Sequence, residues 1–157
     1  MQLSKWTISF NGNICRADSV AVNPEARIIF LEDHNLFRDG IIDYCIRPFF
    51  SNIEILRFRN GDKAFNYLKK QISENNFVDL FITDINHPGL RGNELVKQLR
   101  NYELQFSSTR QIPILIISMV DEKNYLEIIA EKIVDAWLPK ATEMEVIVDY
   151  IEELLYV

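Results

Sequence analysis

The sequence of 157 residues predicts an α/β fold, with a doubly wound parallel sheet that carries helices on both faces. Three observations lead to this prediction. From residue 27 onward, five short apolar runs alternate with amphipathic segments. The run Leu80-Phe81-Ile82 is apolar throughout, as expected for a parallel strand buried on both faces. Asp84 and a Pro/Gly-rich segment follow that run, which places an acid at the carboxyl end of the strand.

Composition limits the classes of function. The chain is 48% hydrophobic and 25% charged, with a net charge of −6 and no run rich in Lys or Arg, which disfavours direct binding of nucleic acid. Without an apolar run long enough to span a bilayer and without a signal-peptide core, we expect a cytoplasmic protein with no membrane association. Cys15 and Cys45 are predicted to be free thiols, and with only His34 and His87 beside them a His/Cys metal site is disfavoured.

Residues 1–26 are predicted to form an N-terminal extension, and residues 27–157 the main domain. Alternating apolar residues before Asn11-Gly12 indicate a β-hairpin with a two-residue loop, in which Ile8 faces Cys15. One side of that ribbon is then apolar, and it contains Trp6, Ile8, Phe10, Cys15 and Ala17. This side is expected to dock on the same chain, with a dimer contact or a partner-binding surface as the alternative.

The main domain alternates strand and helix. The predicted strands are 28–31, 53–58, 80–82, 112–117 and 134–138. The helices that follow them are predicted at 35–46, at 61–74, from about residue 93, at 122–132 and at 142–155. Pro48 ends the first helix, whose apolar stripe is predicted to be Leu36, Ile41, Ile42 and Cys45. Thr142 and Glu145 have the spacing of a capping box for the last helix.

Polar side chains follow four of the five apolar strands. Right-handed crossovers bring the carboxyl ends of these strands to one edge of the sheet. The residues at that edge are Glu32, Asp33, Asp84, Ser118 and Lys140. Three clustered carboxylates repel one another unless a cation joins them, and oxygen ligands of this kind suit Mg²⁺. Asp33 and Asp84 are predicted as direct ligands, with Glu32 binding through water and Asn86 supplying its backbone carbonyl.

A cation, an ammonium and a hydroxyl around one carboxylate form a site that can receive a phosphoryl group. Asp84, ionised at neutral pH, would attack phosphorus without needing a general base. Mg²⁺ and Lys140 would offset the charge that develops on the phosphoryl oxygens, and Ser118 would donate a hydrogen bond. A metal-dependent phosphatase is disfavoured, because the sequence from Asp84 lacks an Asp-x-Asp nucleophile pattern.

From Arg27 onward the chain resembles the response-regulator receiver (CheY-like) domains of two-component signalling. Glu32-Asp33-His34 resembles the acidic pair of that family, and Asp84 lies at its phosphoaccepting position. Ser118 resembles the switch hydroxyl, and Lys140 in Trp137-Leu138-Pro139-Lys140 resembles the family's lysine. Trp137 takes the place of the switch aromatic residue. The chain departs from the family pattern at His87, Met119 and Lys132-Ile133 and in having no Pro after Lys140, and Met119 is expected to narrow the site.

The resemblance implies a flavodoxin-like strand order of 2-1-3-4-5. It implies a protein that is no conventional enzyme but a self-phosphorylating acceptor in a phosphorelay, and it allows slow autodephosphorylation. The expected partners are a histidine kinase or phosphotransfer protein and a downstream protein target, with a homodimer as a further option. Two alternatives stay open. One is a pseudo-receiver that binds proteins independently of phosphorylation. The other is the receiver part of a regulator whose DNA-binding domain is missing, although we expect a stand-alone receiver.

Overall fold

The computed structural model describes residues 26–106 and 110–156, together with the backbone of strands β1 (Trp6–Ile8) and β2 (Ile14–Arg16). β1 and β2 pair antiparallel, which confirms the predicted hairpin. The predicted register is wrong by one residue, because Ile8 lies opposite Ile14 and not opposite Cys15. Residues 9–13 between the strands are odd in number, so a two-residue turn cannot close this register. This register pairs Cys15 with Thr7, so the prediction that Cys15 shares one side of the ribbon with Trp6 and Ile8 is wrong, and the predicted Phe10 and Ala17 lie outside the described residues.

The main sheet is parallel and has five strands. They are β3 (Arg27–Leu31), β4 (Glu54–Phe58), β5 (Leu80–Thr83), β6 (Ile114–Ser118) and β7 (Ala136–Pro139). The spatial order is β4-β3-β5-β6-β7, which confirms the predicted order 2-1-3-4-5. The helices are α1 (Asn35–Ile41), α2 (Gly61–Ser73), α3 (Gly92–Gln105), α4 (Leu126–Ala130) and α5 (Met144–Leu155). In the described part of the chain, no helix is both long and apolar enough to cross a membrane.

Two hydrophobic cores lie on opposite faces of the sheet. Alternate residues of a strand point to opposite faces, so Ile28 and Phe30 of β3 join the core beneath α1 and α5. Ile29 and Leu31 join the core beneath α2, α3 and α4. Every residue of β5 and β6 is buried. The sheet is therefore covered on both faces, as the apolar strands predicted.

The first helix differs from the prediction in its apolar stripe and in its last turn. Leu36 is 83% exposed, whereas Phe37 packs against the core. Residues 37, 41 and 45 keep the four-residue spacing of one helix face, so the stripe begins one residue later than predicted. After α1 the chain continues as a π-helical segment, Ile42–Ile46, which ends just before Pro48, as predicted.

The elements around the last strand are also shorter than predicted. A 3₁₀ segment, Glu122–Tyr125, precedes α4, and β7 begins at Ala136 instead of residue 134. Lys132 has a φ of 53°, and its N–H and that of Ile133 donate to the carbonyls of Ile129 and Ile128. This pattern is a Schellman closure, which ends the helix where the chain turns into β7.

The predicted capping box of the last helix is wrong. The residue before α5 is Glu143, and it makes no side-chain capping bond. The Thr142 hydroxyl donates instead to the carbonyl of Pro139 at 2.7 Å, and the Thr142 N–H donates to the same carbonyl. Thr142 lies one residue before the N-cap position, and the helix begins two residues later than predicted.

Candidate functional site

The parallel register brings the predicted site residues to one edge of the sheet. Leu31 lies opposite Thr83, so that Glu32 and Asp84 leave neighbouring strands side by side, and the Asp84 N–H donates to the Leu31 carbonyl at 3.2 Å. On the other side, Ser118 lies opposite Pro139 at the ends of β6 and β7, and Lys140 follows directly. The carboxyl ends of four strands therefore supply the polar groups of the site.

Lys140 joins two buried carboxylates. Its Nζ lies 2.6 Å from Glu32 Oε2 and 2.8 Å from Asp84 Oδ2. Glu32 is 1% exposed and Asp84 is 5% exposed, so both charges are almost fully removed from water. The second oxygen of each carboxylate accepts a backbone hydrogen bond, from the N–H of His34 at 2.9 Å and from the N–H of Ile85 at 2.6 Å. The three side chains thus form a fixed charge cluster beneath the loops.

Burial and charge act on this cluster in opposite directions. Burial raises the pKa of Glu32 above its ordinary value, and the ammonium of Lys140 only partly offsets that rise. Burial also lowers the pKa of Lys140, but its bonds to Asp84 and Glu32 outweigh burial, so that the net pKa of Lys140 is raised. The ammonium therefore remains charged throughout the physiological range, with its charge directed at Asp84.

The donor set fits a divalent cation by chemistry. Two carboxylates, Glu32 and Asp84, contact one ammonium, and Asp33 follows Glu32 directly in the sequence, so acidic groups outnumber the lysine at this edge. Glu32 Oε2 is buried and accepts no aligned hydrogen bond from a described residue, although it contacts the ammonium of Lys140. Asp33 is half-buried, and no hydrogen bond or ion pair joins its carboxylate to the described residues. Oxygen ligands with unsatisfied negative charge are those that Mg²⁺ prefers.

The side-chain arrangement nevertheless shows Glu32 turned toward Lys140. Across the described ranges, no three His, Cys, Asp or Glu side chains already stand together as a metal site. The Asn86 side chain accepts a hydrogen bond from Arg91 at 2.7 Å. A metal at this edge would therefore share Glu32 with the ammonium.

The predicted switch residues lie in β6 and β7. Ser118 is 1% exposed, and its hydroxyl oxygen accepts a bond from the Val120 N–H at 3.2 Å. Trp137 is half-buried and stacks on Tyr125, with 5.6 Å between the ring centroids. Met119, which was expected to narrow the site, is 78% exposed, so its side chain does not fill the site.

The side chains of both histidines contact backbone groups close to them in sequence. His34 Nδ1 accepts a bond from the Phe37 N–H and caps α1. His87 Nδ1 lies 3.3 Å from the Pro88 carbonyl.

Sequence reasoning missed two residues of α1 that touch the charge cluster. The ring of Phe37 lies 4.6 Å from Lys140 Nζ, measured to the ring centroid. Arg38 is buried, and its Nη1 donates to the backbone carbonyl of Glu32 at 3.1 Å. The four-residue spacing of Phe37, Ile41 and Cys45 was the signal that could have identified Phe37. Nothing in the sequence distinguishes Arg38 from an exposed helix arginine.

Gly92, at the start of α3, packs against the segment that carries Asp84. A Cβ at Gly92 would overlap the Asp84 carbonyl oxygen and lie 2.9 Å from the Ile85 Cα. Only glycine allows this approach, and the Gly92 N–H donates to the Ile85 carbonyl at 3.0 Å. The backbone after Asp84 is therefore fixed by direct contact with α3.

Comparison with known proteins identifies one family. The sequence model of the response regulator receiver domain matches residues 28–152. Among solved structures, a DNA-binding response regulator of the LuxR family from Staphylococcus aureus is 24% identical with a TM-score of 0.62, over 83% of this chain and 98% of that one. The receiver domain of the histidine kinase CKI1 from Arabidopsis thaliana, solved with Mg²⁺ and BeF₃⁻, is 19% identical with a TM-score of 0.67, over 82% of this chain and 89% of that one. No curated protein matches the chain significantly.

Proposed function

Since this chain belongs to the response regulator receiver family, whose members are signalling switches and not conventional enzymes, we propose that Asp84 is its phosphoacceptor. The contact of Lys140 Nζ with Asp84 Oδ2, at 2.8 Å, is the observation that carries this proposal. It places a charged ammonium at the one acidic side chain that ends the central strand β5. An ammonium in that position would offset the charge that builds up on a phosphoryl group bound there.

The proposed reaction is a direct transfer. An Asp84 carboxylate oxygen forms a bond to phosphorus while the bond from phosphorus to the donor breaks, and the donor leaves with the electron pair. The backbone N–H of Ile85, 2.6 Å from Oδ1, orients the carboxylate, and Lys140 approaches from the side of Oδ2. Ser118 is the proposed donor of a hydrogen bond to the phosphoryl oxygens.

We assign the metal site to the same edge. Asp33 and Asp84 are the proposed direct ligands of Mg²⁺, with Glu32 acting through water and Asn86 through its backbone carbonyl. When bound, the ion would neutralise negative charge on the phosphoryl oxygens. Support for this assignment comes from the carboxylate of Asp33, which no described residue pairs with, and from the buried Glu32 and Asp84 carboxylates, which share a single ammonium.

The proposed donor is a histidine kinase or a phosphotransfer protein. The proposed output is a change in the surface around α4, β7 and α5. Tyr125 and Trp137 lie at this surface and would move when Ser118 turns toward the phosphoryl group. A downstream protein that prefers the new surface by about 1–3 kcal/mol would be regulated roughly 5- to 150-fold.

A second candidate function is a pseudo-receiver that binds its partner without phosphorylation. The observation that favours it is the orientation of Glu32, whose Oε2 lies 2.6 Å from Lys140 Nζ. If that ion pair holds against Mg²⁺, the metal site does not form and the cluster has only a structural role.

Incubation with acetyl phosphate and Mg²⁺, followed by intact mass, separates the two functions. The phosphoacceptor reading predicts that wild type gains one phosphoryl group and that Asp84→Ala gains none. Beryllofluoride with Mg²⁺ should also change the fluorescence of Trp137, measured after Trp6 is replaced by Phe. An unchanged mass in wild type, with fluorescence identical to that of Asp84→Ala, would reject the phosphoacceptor and favour the pseudo-receiver.

A further inference from the structure

Lys140 has a third neighbour that its two ion pairs do not explain. The ammonium has three N–H donors, and the carboxylates of Glu32 and Asp84 lie 2.6 and 2.8 Å from it. The ammonium also lies over the aromatic ring of Phe37, with the centroid 4.6 Å away. The face of an aromatic ring attracts a cation within about 6 Å, and more strongly when water is excluded. The Lys140 side chain is only 14% exposed.

The position of Phe37 is itself fixed from two directions. Its N–H donates to His34 Nδ1, the capping bond that starts α1. Its ring packs against the core beneath α1 and α5, which includes Leu138 of β7. Phe37 is therefore held at the start of α1 by its backbone and against the core by its ring. A ring held in this way can restrict where the ammonium lies.

We infer that Phe37 is a positioning residue for Lys140, an inference that rests on the proposed phosphoacceptor function. The ring occupies one side of the ammonium without accepting its proton or adding negative charge. The ammonium is thereby kept between Glu32 and Asp84, instead of turning out to solvent or toward Glu32 alone. Phe37 does not touch the reacting atoms in this arrangement, and it acts only through Lys140.

The chain supplies a matched control for this contact. Phe65 of α2 is also half-buried, and Lys69 Nζ lies 4.7 Å from its ring centroid, away from the site. Phe37→Leu and Phe65→Leu remove the same ring from two similar lysine contacts. Phe37→Tyr keeps an aromatic face and serves as the rescue variant. Thermal unfolding of all three checks that each variant is folded.

The first measurement needs no phosphate. In the metal-free protein, a ring beneath the ammonium should shift the Lys140 Hε resonances upfield and give a nuclear Overhauser contact from the Phe37 ring to Lys140 Hε. Both signals should persist in Phe37→Tyr and Phe65→Leu, and the shift should be lost in Phe37→Leu. An unchanged Lys140 Hε shift in Phe37→Leu would overturn the inference.

The second measurement is the rate of aspartyl phosphate formation from acetyl phosphate with Mg²⁺. Phe37→Leu should be slower by roughly 2- to 30-fold, the range that corresponds to one cation–π contact. Phe37→Tyr should stay within about twofold of wild type, and Phe65→Leu should be unaffected. A Phe37→Leu rate equal to wild type, or a Phe37→Tyr rate as low as that of Phe37→Leu, would overturn the inference. If wild type itself takes no phosphate, the proposed function fails, and the role of Phe37 is then decided by the nuclear Overhauser contact from Lys140 Hε to Asp84 Hβ. Phe37→Leu should weaken this contact and Phe65→Leu should not, and an equal contact in both variants would overturn the inference.

Discussion

Lys140→Met tests the charge cluster most directly, because it removes the ammonium and keeps a side chain of similar shape. Glu32 and Asp84 are 1% and 5% exposed, and each would lose its charge partner. Removing one partner of a buried ion pair costs roughly 3–5 kcal/mol. The other oxygen of each carboxylate keeps a backbone N–H bond, so we expect a loss near the lower limit, about 3 kcal/mol in the free energy of unfolding.

The assay is urea unfolding at pH 7, followed by circular dichroism. With a urea dependence of about 2 kcal/mol per molar, the unfolding midpoint should fall by about 1.5 M. If the unpaired Glu32 carboxylate causes the loss, adding Glu32→Gln should restore part of it, with a coupling free energy above about 1 kcal/mol. Arg47→Met is the control. Its exposed ion pair with Asp43, at 2.8 Å, should contribute less than about 1 kcal/mol.

The destabilisation by Lys140→Met should depend on pH, and its direction follows from the pKa of Glu32. Burial already raises the pKa of Glu32, and Lys140 lowers it, so Lys140→Met should raise it further. A carboxyl with a raised folded pKa gives stability that is present below its ordinary value of 4.5 and is lost as the pH rises through the folded pKa. The destabilisation by Lys140→Met should therefore be small near pH 4 and complete at pH 7. The same fall in midpoint at both pH values, or a fall below about 0.3 M at pH 7, would refute this reasoning.

Three further predictions concern the surroundings of the site. Gly92→Ala should destabilise the protein by about 2 kcal/mol, because its Cβ would overlap the backbone at Asp84. Gly40→Ala has nothing within 4 Å of the new Cβ and should stabilise α1 by roughly 0.5–1 kcal/mol. Thermal unfolding that ranks the two variants in the opposite order would contradict this. Arg38→Met should cost roughly 1.5–3 kcal/mol, because it leaves the Glu32 carbonyl without its buried charged donor. It should also weaken Mg²⁺ binding in calorimetry, and an unchanged affinity would show that Arg38 does not orient the acidic pair. Burial raises the pKa of the Cys45 thiol to about 11. In a protein whose other cysteine is replaced by serine, a disulfide reagent at pH 8 should therefore label Cys45 only as fast as the protein unfolds. Rapid labelling of the native state would contradict the burial of this thiol.

The alternation of strands and helices and the sheet edge that carries the site follow from the pattern of apolar runs, whereas the order of the strands was implied only by the resemblance to receiver domains. The buried face of α1 was harder to predict than the strands. Leu36 and Phe37 are neighbours in sequence, but only Phe37 stands four residues before Ile41, so the helical spacing itself favours Phe37 as the buried residue. Thr142 had the spacing of a cap, but the turn after β7 uses its hydroxyl as a donor. Helix α5 begins only after this turn, so Glu143 and not Thr142 takes the cap position.

The burial of charged residues could not be predicted from local sequence patterns either. Arg100 and Glu103, three residues apart on α3, have the spacing of an exposed helix pair. Glu103 is only 2% exposed, because its carboxylate accepts the Ile112 N–H just before β6 and pairs with Arg100 at 2.9 Å. Arg100 also donates to the Ile133 carbonyl in the loop before β7. These partners are distant in sequence, so the burial of both charges depends on tertiary structure alone.

The balance of energies around the switch residues bears on how the proposed signal would leave the site. Rotating the Ser118 side chain toward a phosphoryl group would carry its oxygen away from the Val120 N–H, at a net cost of about 1 kcal/mol. Moving Trp137 away from Tyr125 costs roughly another 0.5–1.5 kcal/mol of ring stacking. One charge-assisted hydrogen bond returns roughly 1.5–3 kcal/mol, which only matches these costs. A second bond, from Lys140, is therefore needed to populate the switched state. Without that ammonium, a phosphoryl group on Asp84 would leave Trp137 largely where it is.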